Sequence, residues 1–186
     1  MAPKSSEFTE DEKMLLADFG RGLTRKSSAI FYFHALLVSA LPLWLFTQIQ
    51  QMDIVENAIL FGVGTLVSLF LVAYAYKNNK FMLKHKIAQS RADGVAAEVQ
   101  AMISESGDAK KVSKKERDER ILWRKNEVAE AESIQLAVFN TNLLFLLLVV
   151  VFAFGMLRNY ALVFNYGVSM LMASGFTAFL STSSQK

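Results

Sequence analysis

The sequence predicts an all-α membrane protein with four transmembrane helices and a cytosolic helical hairpin between the second and the third. The chain has 186 residues, of which 53% are hydrophobic and none is a cysteine. Four stretches, 29–46, 57–76, 134–157 and 160–180, contain no charged residue. Each has about the 20 residues that a helix needs to cross a bilayer. One such stretch would fit a buried helix of a soluble protein, but four in so short a chain indicate a membrane protein.

The first two spans are joined by the short connection 47–56, and the last two by 158–159. Pro42 lies inside the first span and is expected to kink it, because proline removes a backbone hydrogen bond. Gly64 and Ser68 are four residues apart in the second span, a spacing of small residues that lets another helix approach closely. Ser174 and Ala178 have the same spacing in the fourth span. We therefore expect these four small residues to lie at helix contacts.

The centres of the four spans carry no ionisable residue, which argues against a channel or a transporter. Asn140 and Asn142 in the third span and Asn165 in the fourth are polar but uncharged. We expect their side chains to form hydrogen bonds between helices or with a partner subunit.

The positive charges that flank the spans predict the orientation of the chain. The N-terminal segment 1–28 has five basic residues and the central segment 77–133 has thirteen, whereas the connection 47–56 has none. The last connection has only Arg158, and the C-terminal tail 181–186 has only Lys186. Both termini and the central segment are therefore expected to face the cytosol, with the two short connections on the other side of the membrane.

The central segment 77–133 is too long for a simple connection and is expected to form two helical arms. Apolar residues recur at helical spacing over 81–103, so the second span is expected to continue as one helix, with Gly94 as its weakest point. Turn-forming residues follow at 104–108. Ser113 and Glu116 then form a capping-box pattern, which predicts the start of a second helix that runs into the third span.

The second arm, which contains SKKERDERILWRKNE at 113–127, has two interpretations. In the first it is a solvated helix whose apolar residues pack on the first arm, and Trp123 covers the contact between the two arms. Stacking of the Trp123 ring on a partner is the alternative role of that residue. The packing residues would be Ile121, Leu122, Trp123 and Val128. In the second, its basic residues form an electrostatic docking surface for phosphates. These candidates are Lys110, Lys111, Lys114, Lys115, Arg117, Arg120, Arg124 and Lys125.

The acidic residues of the same run favour one anionic partner over another. Glu116, Asp118 and Glu119 would be repelled by anionic headgroups, so the run is not a simple polybasic lipid anchor. A large structured partner, such as the ribosome on the cytosolic face of a secretory membrane, fits better. The run has no motif of a sequence-specific nucleic-acid-binding fold.

No enzyme site is expected. The chain has two histidines, His34 in the first span and His85 beyond the second, and they cannot form a metal pair at helical spacing. Gly62 and Gly64 lie inside a span and lack the third glycine of a dinucleotide-binding loop. The sequence therefore predicts no catalytic residue, no metal and no cofactor.

The run DERILWRKNEVA at 118–129 resembles the cytosolic signature of the gamma subunit of the translocon-associated protein complex, also called the signal sequence receptor gamma subunit. Arg117 and Arg124 stand where that family usually has lysine, which keeps the charge. The resemblance covers nearly the whole chain except the first twenty residues and the tip of the hairpin. Further similar stretches lie at 26–29, 38–40 with Pro42 and Trp44, 52–53, 73–78, 80–81, 83–86 and 180–182.

The resemblance implies a multi-pass protein of the endoplasmic reticulum membrane. It implies a subunit of a heterotetramer beside the Sec translocation channel, surrounded by membrane lipids. Its cytosolic part would contact ribosomal RNA and protein near the tunnel exit during cotranslational protein translocation. Two other functions stay open on the residues alone: a small tetraspan transport or lipid-handling protein with a regulatory hairpin, and a scaffold whose hairpin binds another membrane protein. Phosphate docking would weaken steeply with salt, whereas apolar packing would not.

Overall fold

The computed structural model describes residues 25–105 and 114–183, and these residues form helices and turns without a strand. The helices are α1 (Arg25–Gln48), α2 (Ala58–Ser90), α3 (Ala92–Glu105), α4 (Lys114–Val150) and α5 (Leu162–Ser183). Helix α4 is followed directly by a π-helical turn, Val151–Met156. Four of these helical stretches are long and apolar enough to cross a membrane: Ser27–Gln48, Ala58–Ser90, Glu116–Met156 and Leu162–Ser183. The predicted all-α fold class with four such helices is confirmed.

The first predicted arm differs from the structure in one detail. The expected single helix is interrupted at Arg91, between α2 and α3, rather than at Gly94. The interruption is small, because the Arg91 N–H still donates to the Ile87 carbonyl (2.9 Å) and the Val95 N–H donates to the Arg91 carbonyl (3.0 Å). Gly94 lies in the first turn of α3, where an added Cβ would meet nothing within 4 Å. Helix α4 is described from Lys114 and continues without a break into the third span. Ser113, the cap of the predicted capping box, lies outside the described residues.

The contacts divide the chain into two compact units, one that includes Lys80–Gln135 and one that includes Leu23–Asn79 and Leu136–Lys186. In the second unit, α5 turns mainly small and polar side chains inward, together with Tyr166 and Met170, and turns most of its other large apolar side chains outward. Its buried residues are Asn165, Tyr166, Ser169, Met170, Ala173, Ser174, Thr177, Ala178 and Ser181. By contrast, Phe179 is 66% exposed and Phe176 is 46% exposed. This is the pattern of a membrane helix, since lipid is as apolar as leucine and small residues let helices approach closely.

Tyr166 is the central side chain of this inward face. Its ring is fully buried and meets Phe46 and Phe61 edge to face, with ring centroids 5.1 and 4.8 Å away. Gly64 lies against the same ring, because a Cβ at Gly64 would be 3.0 Å from Tyr166 Cε1. The structure therefore places Gly64 at a close helix contact, and Ser68, Ser174 and Ala178 are also buried.

Two of the asparagines of the spans, Asn142 and Asn165, form hydrogen bonds between helical segments, whereas Asn140 is exposed. Asn142 Oδ1 accepts a hydrogen bond from the Tyr76 hydroxyl, which joins α2 to α4. Asn165 Nδ2 donates to the Ala153 carbonyl in the π-helical turn (2.9 Å), and Asn165 Oδ1 accepts from the Ser169 hydroxyl (2.9 Å). A π-helical turn disturbs the regular backbone hydrogen bonds of a helix. A side-chain donor that bonds a carbonyl of the turn therefore stabilises the turn in lipid.

Candidate functional site

The candidate site lies in the first unit, where the end of α2 and helix α3 pack against the first half of α4. Ion pairs join the two sides in reverse chain order, Lys80 with Glu130 and Glu98 with Arg124, so the packed helices run antiparallel. Two apolar clusters fill the space between them. The first contains Ile87, Ala88 and Ala129, with Leu83 beside it, and the second contains Val95, Val99 and Ile103, with Ile121 and Val128 beside it.

The residues that the sequence assigns to hairpin packing separate into two groups. Ile121 and Val128 pack on the second apolar cluster. Leu122 is half-buried. Trp123 is 72% exposed, so its ring does not fill the interior between the helices. It lines a surface groove instead.

This groove, which we call the Trp123 groove, has a volume of about 380 Å³. Helix α3 supplies its apolar side, and α4 supplies Trp123 and all three charged lining residues. The lining residues are Val99, Met102, Ile103, Arg120, Trp123, Arg124 and Glu127. The groove therefore combines an exposed aromatic ring, an apolar floor and two guanidinium groups.

The structure gives the basic candidates unequal positions. Lys110 and Lys111 lie outside the described residues, and Lys114 and Lys115 form the first turn of α4. Arg117 and Lys125 are half-buried on α4. Arg120 pairs with Glu116 one turn earlier, at 2.8 Å between Nη2 and Oε1, and about half of each side chain is exposed. An exposed pair of this kind contributes little to stability and leaves the guanidinium accessible.

Arg124 is held more firmly than Arg120 because it has two acidic partners. Its Nη2 is 3.0 Å from Glu98 Oε1 on α3, and its Nη1 is 2.9 Å from Glu127 Oε2 on α4. Hydrogen bonds to Glu98 and then to Glu127 raise the pKa of the guanidinium above its ordinary value. The pairing with Glu98 joins α3 to α4 at the edge of the Trp123 groove.

A charged cluster that the sequence analysis missed lies at the end of α2. Glu130 Oε1 is 3.0 Å from Lys80 Nζ, and Glu130 Oε2 is 3.6 Å from Lys84 Nζ. Both lysine side chains are buried, whereas Glu130 is one-quarter exposed. The signal available in the sequence was the four-residue spacing of Lys80 and Lys84, which places both lysines on the face of α2 that carries Ile87 and Ala88.

The electrostatics of this Lys80–Lys84–Glu130 cluster are unbalanced, since two cations share one carboxylate. All three residues lie beyond the charge-free stretches of their helices. Burial lowers the pKa of the Lys84 ammonium, helped by the nearby Lys80 charge and opposed by Glu130. Burial alone would raise the pKa of the Glu130 carboxyl, but the hydrogen bond and charge of Lys80, with those of Lys84, outweigh it and lower that pKa. Glu130 is therefore a carboxylate at neutral pH.

No group of three metal-ligating side chains comes together among residues 25–105 and 114–183. The described residues bring together cationic groups on α4, an exposed tryptophan and a groove.

Comparisons with known proteins assign this architecture to a family. A family model described as "Translocon-associated protein, gamma subunit (TRAP-gamma)" matches residues 11–183. A protein of Dictyostelium discoideum named "Translocon-associated protein subunit gamma" is 30% identical over 157 residues, which cover 84% of this chain and 86% of the relative. The match includes all four apolar helices and the candidate site.

Proposed function

Because the chain belongs to the gamma-subunit family of translocon-associated proteins, we propose that it docks on the translating ribosome and supports cotranslational translocation beside the Sec channel. The family is one of translocon-associated subunits rather than of enzymes. Family membership and the four apolar helices together support a multi-pass protein of the endoplasmic reticulum membrane. In the proposed arrangement the termini and the segment 77–133 face the cytosol, and the bundle of spans contacts the other subunits.

One observation carries the docking proposal: eight basic residues are concentrated within 110–125, between the charge-free stretches 57–76 and 134–157. The ribosome presents a dense array of phosphates, and neutralising them releases counterions. Arg120, half-exposed on α4, and the lysines near the start of that helix supply cations for this contact. The interleaved acidic residues are compatible with a structured partner, whereas a uniformly anionic lipid surface would repel them.

The first prediction tests this proposal with the full chain in lipid nanodiscs. Binding to purified ribosomes is measured by cosedimentation across a salt series. The logarithm of the binding constant is expected to fall linearly with the logarithm of the salt concentration. Replacing Lys111, Lys114 and Lys115 by Gln is expected to weaken binding at low salt. It should also reduce the salt slope by about one for each residue that contacts a phosphate.

A matched control removes three positive charges elsewhere in the segment, through Gln substitutions of the exposed residues Lys77, Lys86 and Arg91. If the 110–125 run is the docking surface, this control should keep most of the binding. Equal losses in the two triple variants would show a general charge effect without a localised surface. Binding that salt does not weaken would contradict the electrostatic proposal.

A further inference from the structure

The Trp123 groove is an apolar surface in a part of the chain that is otherwise strongly charged. Trp123 is 72% exposed and Met102 is 50% exposed, and both line the groove. Exposed apolar side chains on the spans are explained by lipid, but α3 and this part of α4 lie beyond the charge-free stretches. An exposed aromatic and methionine surface outside lipid indicates a binding site.

We propose that the Trp123 groove holds the chain's own N-terminal segment, residues 7–19, EFTEDEKMLLADF. The apolar residues of the segment would cover Trp123 and Met102. Its acidic residues would face the basic residues of the run 110–125. This makes the groove an intramolecular docking site.

The charges of the two partners are complementary. Residues 1–19 contain five acidic residues and two basic ones, a net charge of −3, whereas residues 110–127 contain eight basic residues and four acidic ones, a net charge of +4. Opposite charges of this size favour encounter and fix orientation. Arg120 and Arg124 already have acidic partners, so the net positive charge of this run is carried by its lysines and Arg117.

The segment also has the pattern of an amphipathic helix. Thr9 followed three residues later by Glu12 is a capping-box pattern. Leu15, Leu16 and Phe19 then recur at helical spacing, which would gather apolar side chains on one face. A helix over residues 10–19 would be about 15 Å long, enough to cover the rise of about 10 Å over residues 120–127 of α4.

Position in the chain favours this segment over a second copy as the occupant. Residues 1–24 precede α1, and the charge bias predicts that they lie on the same side of the membrane as 77–133. Because the segment belongs to the same chain, its docking does not depend on protein concentration, whereas the docking of a second copy does.

The absence of cysteine from the chain makes a clean cross-linking test possible. The variant Phe19→Cys/Met102→Cys, purified in lipid nanodiscs at one copy per disc, is treated with a short bismaleimide and analysed by mass spectrometry. We expect an intramolecular cross-link. The matched control Phe19→Cys/Ala101→Cys uses an exposed residue of α3 that does not line the groove, and it should give a yield about tenfold lower.

A second measurement removes the proposed contact without deleting the segment. Adding Leu15→Asp and Leu16→Asp to the Phe19→Cys/Met102→Cys variant should lower its cross-linking yield to that of the Phe19→Cys/Ala101→Cys control. The same two substitutions should raise the alkylation rate of a single Met102→Cys about tenfold, because docking protects the thiol. Equal yields for Met102 and Ala101, or a Met102→Cys alkylation rate that does not change, would overturn the proposal. A dimeric cross-link that forms in detergent in place of the intramolecular one would assign the groove to a second copy and would also overturn it.

Discussion

At the residue scale, the Lys80–Lys84–Glu130 cluster is the most demanding electrostatic feature of the first unit. Two buried ammonium groups depend on one carboxylate, which is only partly exposed. Burying a charge is costly unless it is paired, and removing one member of a pair leaves the others uncompensated. Glu130 therefore has a larger effect on stability than an exposed acidic residue would have.

We predict that Glu130→Gln lowers the free energy of unfolding by about 2 kcal/mol, since it leaves two adjacent buried cations without a counter-charge. Thermal unfolding in nanodiscs, followed by circular dichroism, measures the change. The matched control is Glu132→Gln, because Glu132 pairs with the exposed Arg91 at 3.1 Å. This pair should contribute less than about 1 kcal/mol. Equal effects of the two substitutions would contradict the assigned role of Glu130.

The same cluster predicts a dependence of stability on pH. The pKa of Glu130 is lower in the folded chain than in the unfolded chain, where a glutamate has its ordinary pKa of about 4.3. The stability that Glu130 contributes is therefore fully present at a pH above this ordinary pKa. It is lost as the pH falls through the lower pKa of the folded chain. The difference in melting temperature between the unsubstituted chain and Glu130→Gln should be largest near neutral pH and should shrink on acidification through this range.

At the scale of the element, hydropathy predicts the spans because a helix in lipid must satisfy its own backbone hydrogen bonds. Length and composition alone therefore locate α1, α5 and the start of α2 to within about four residues. The π-helical turn at Val151–Met156 was not predictable in this way. Its stabilising partner, Asn165, lies on another helix, and apolar periodicity does not encode that contact. The interruption at Arg91 was missed because single-residue propensity indicated Gly94.

The close approach of α2 and α5 at Gly64 gives a prediction about helix packing. A Cβ at Gly64 would lie 3.0 Å from the Tyr166 ring, which is itself held between Phe46 and Phe61. Gly64→Ala should therefore lower the free energy of unfolding by about 1–3 kcal/mol, the usual cost of overpacking. Gly62→Ala on the same helix is the control, since its Cβ would meet nothing within 4 Å. Both are measured by thermal unfolding in nanodiscs, and Gly64→Ala must be the more destabilising.

At the scale of the whole molecule, the sequence predicts less about the candidate site than about the fold. It locates the basic residues on the second arm, but it does not show which of them have acidic partners. Arg124 pairs with Glu98, which lies 26 residues earlier on α3, and only the packing of α3 on α4 brings them together. Trp123 illustrates the same difficulty, because an apolar residue within a charged helix fits both interior packing and an exposed groove.

The orientation of the whole chain gives the last prediction, which rests on the excess of basic residues in the N-terminal and central segments. Anionic lipids and the insertion machinery hold such segments on the cytosolic side. In sealed microsomes, a membrane-impermeant maleimide should label Gln100→Cys, an exposed position of α3. It should not label Val55→Cys, which is 86% exposed in the connection between α1 and α2. Permeabilising the membrane should make Val55→Cys reactive and leave Gln100→Cys labelled as before. Labelling of Val55→Cys alone in sealed vesicles would invert the orientation, and it would place the basic run of α4 on the side of the membrane away from ribosomes.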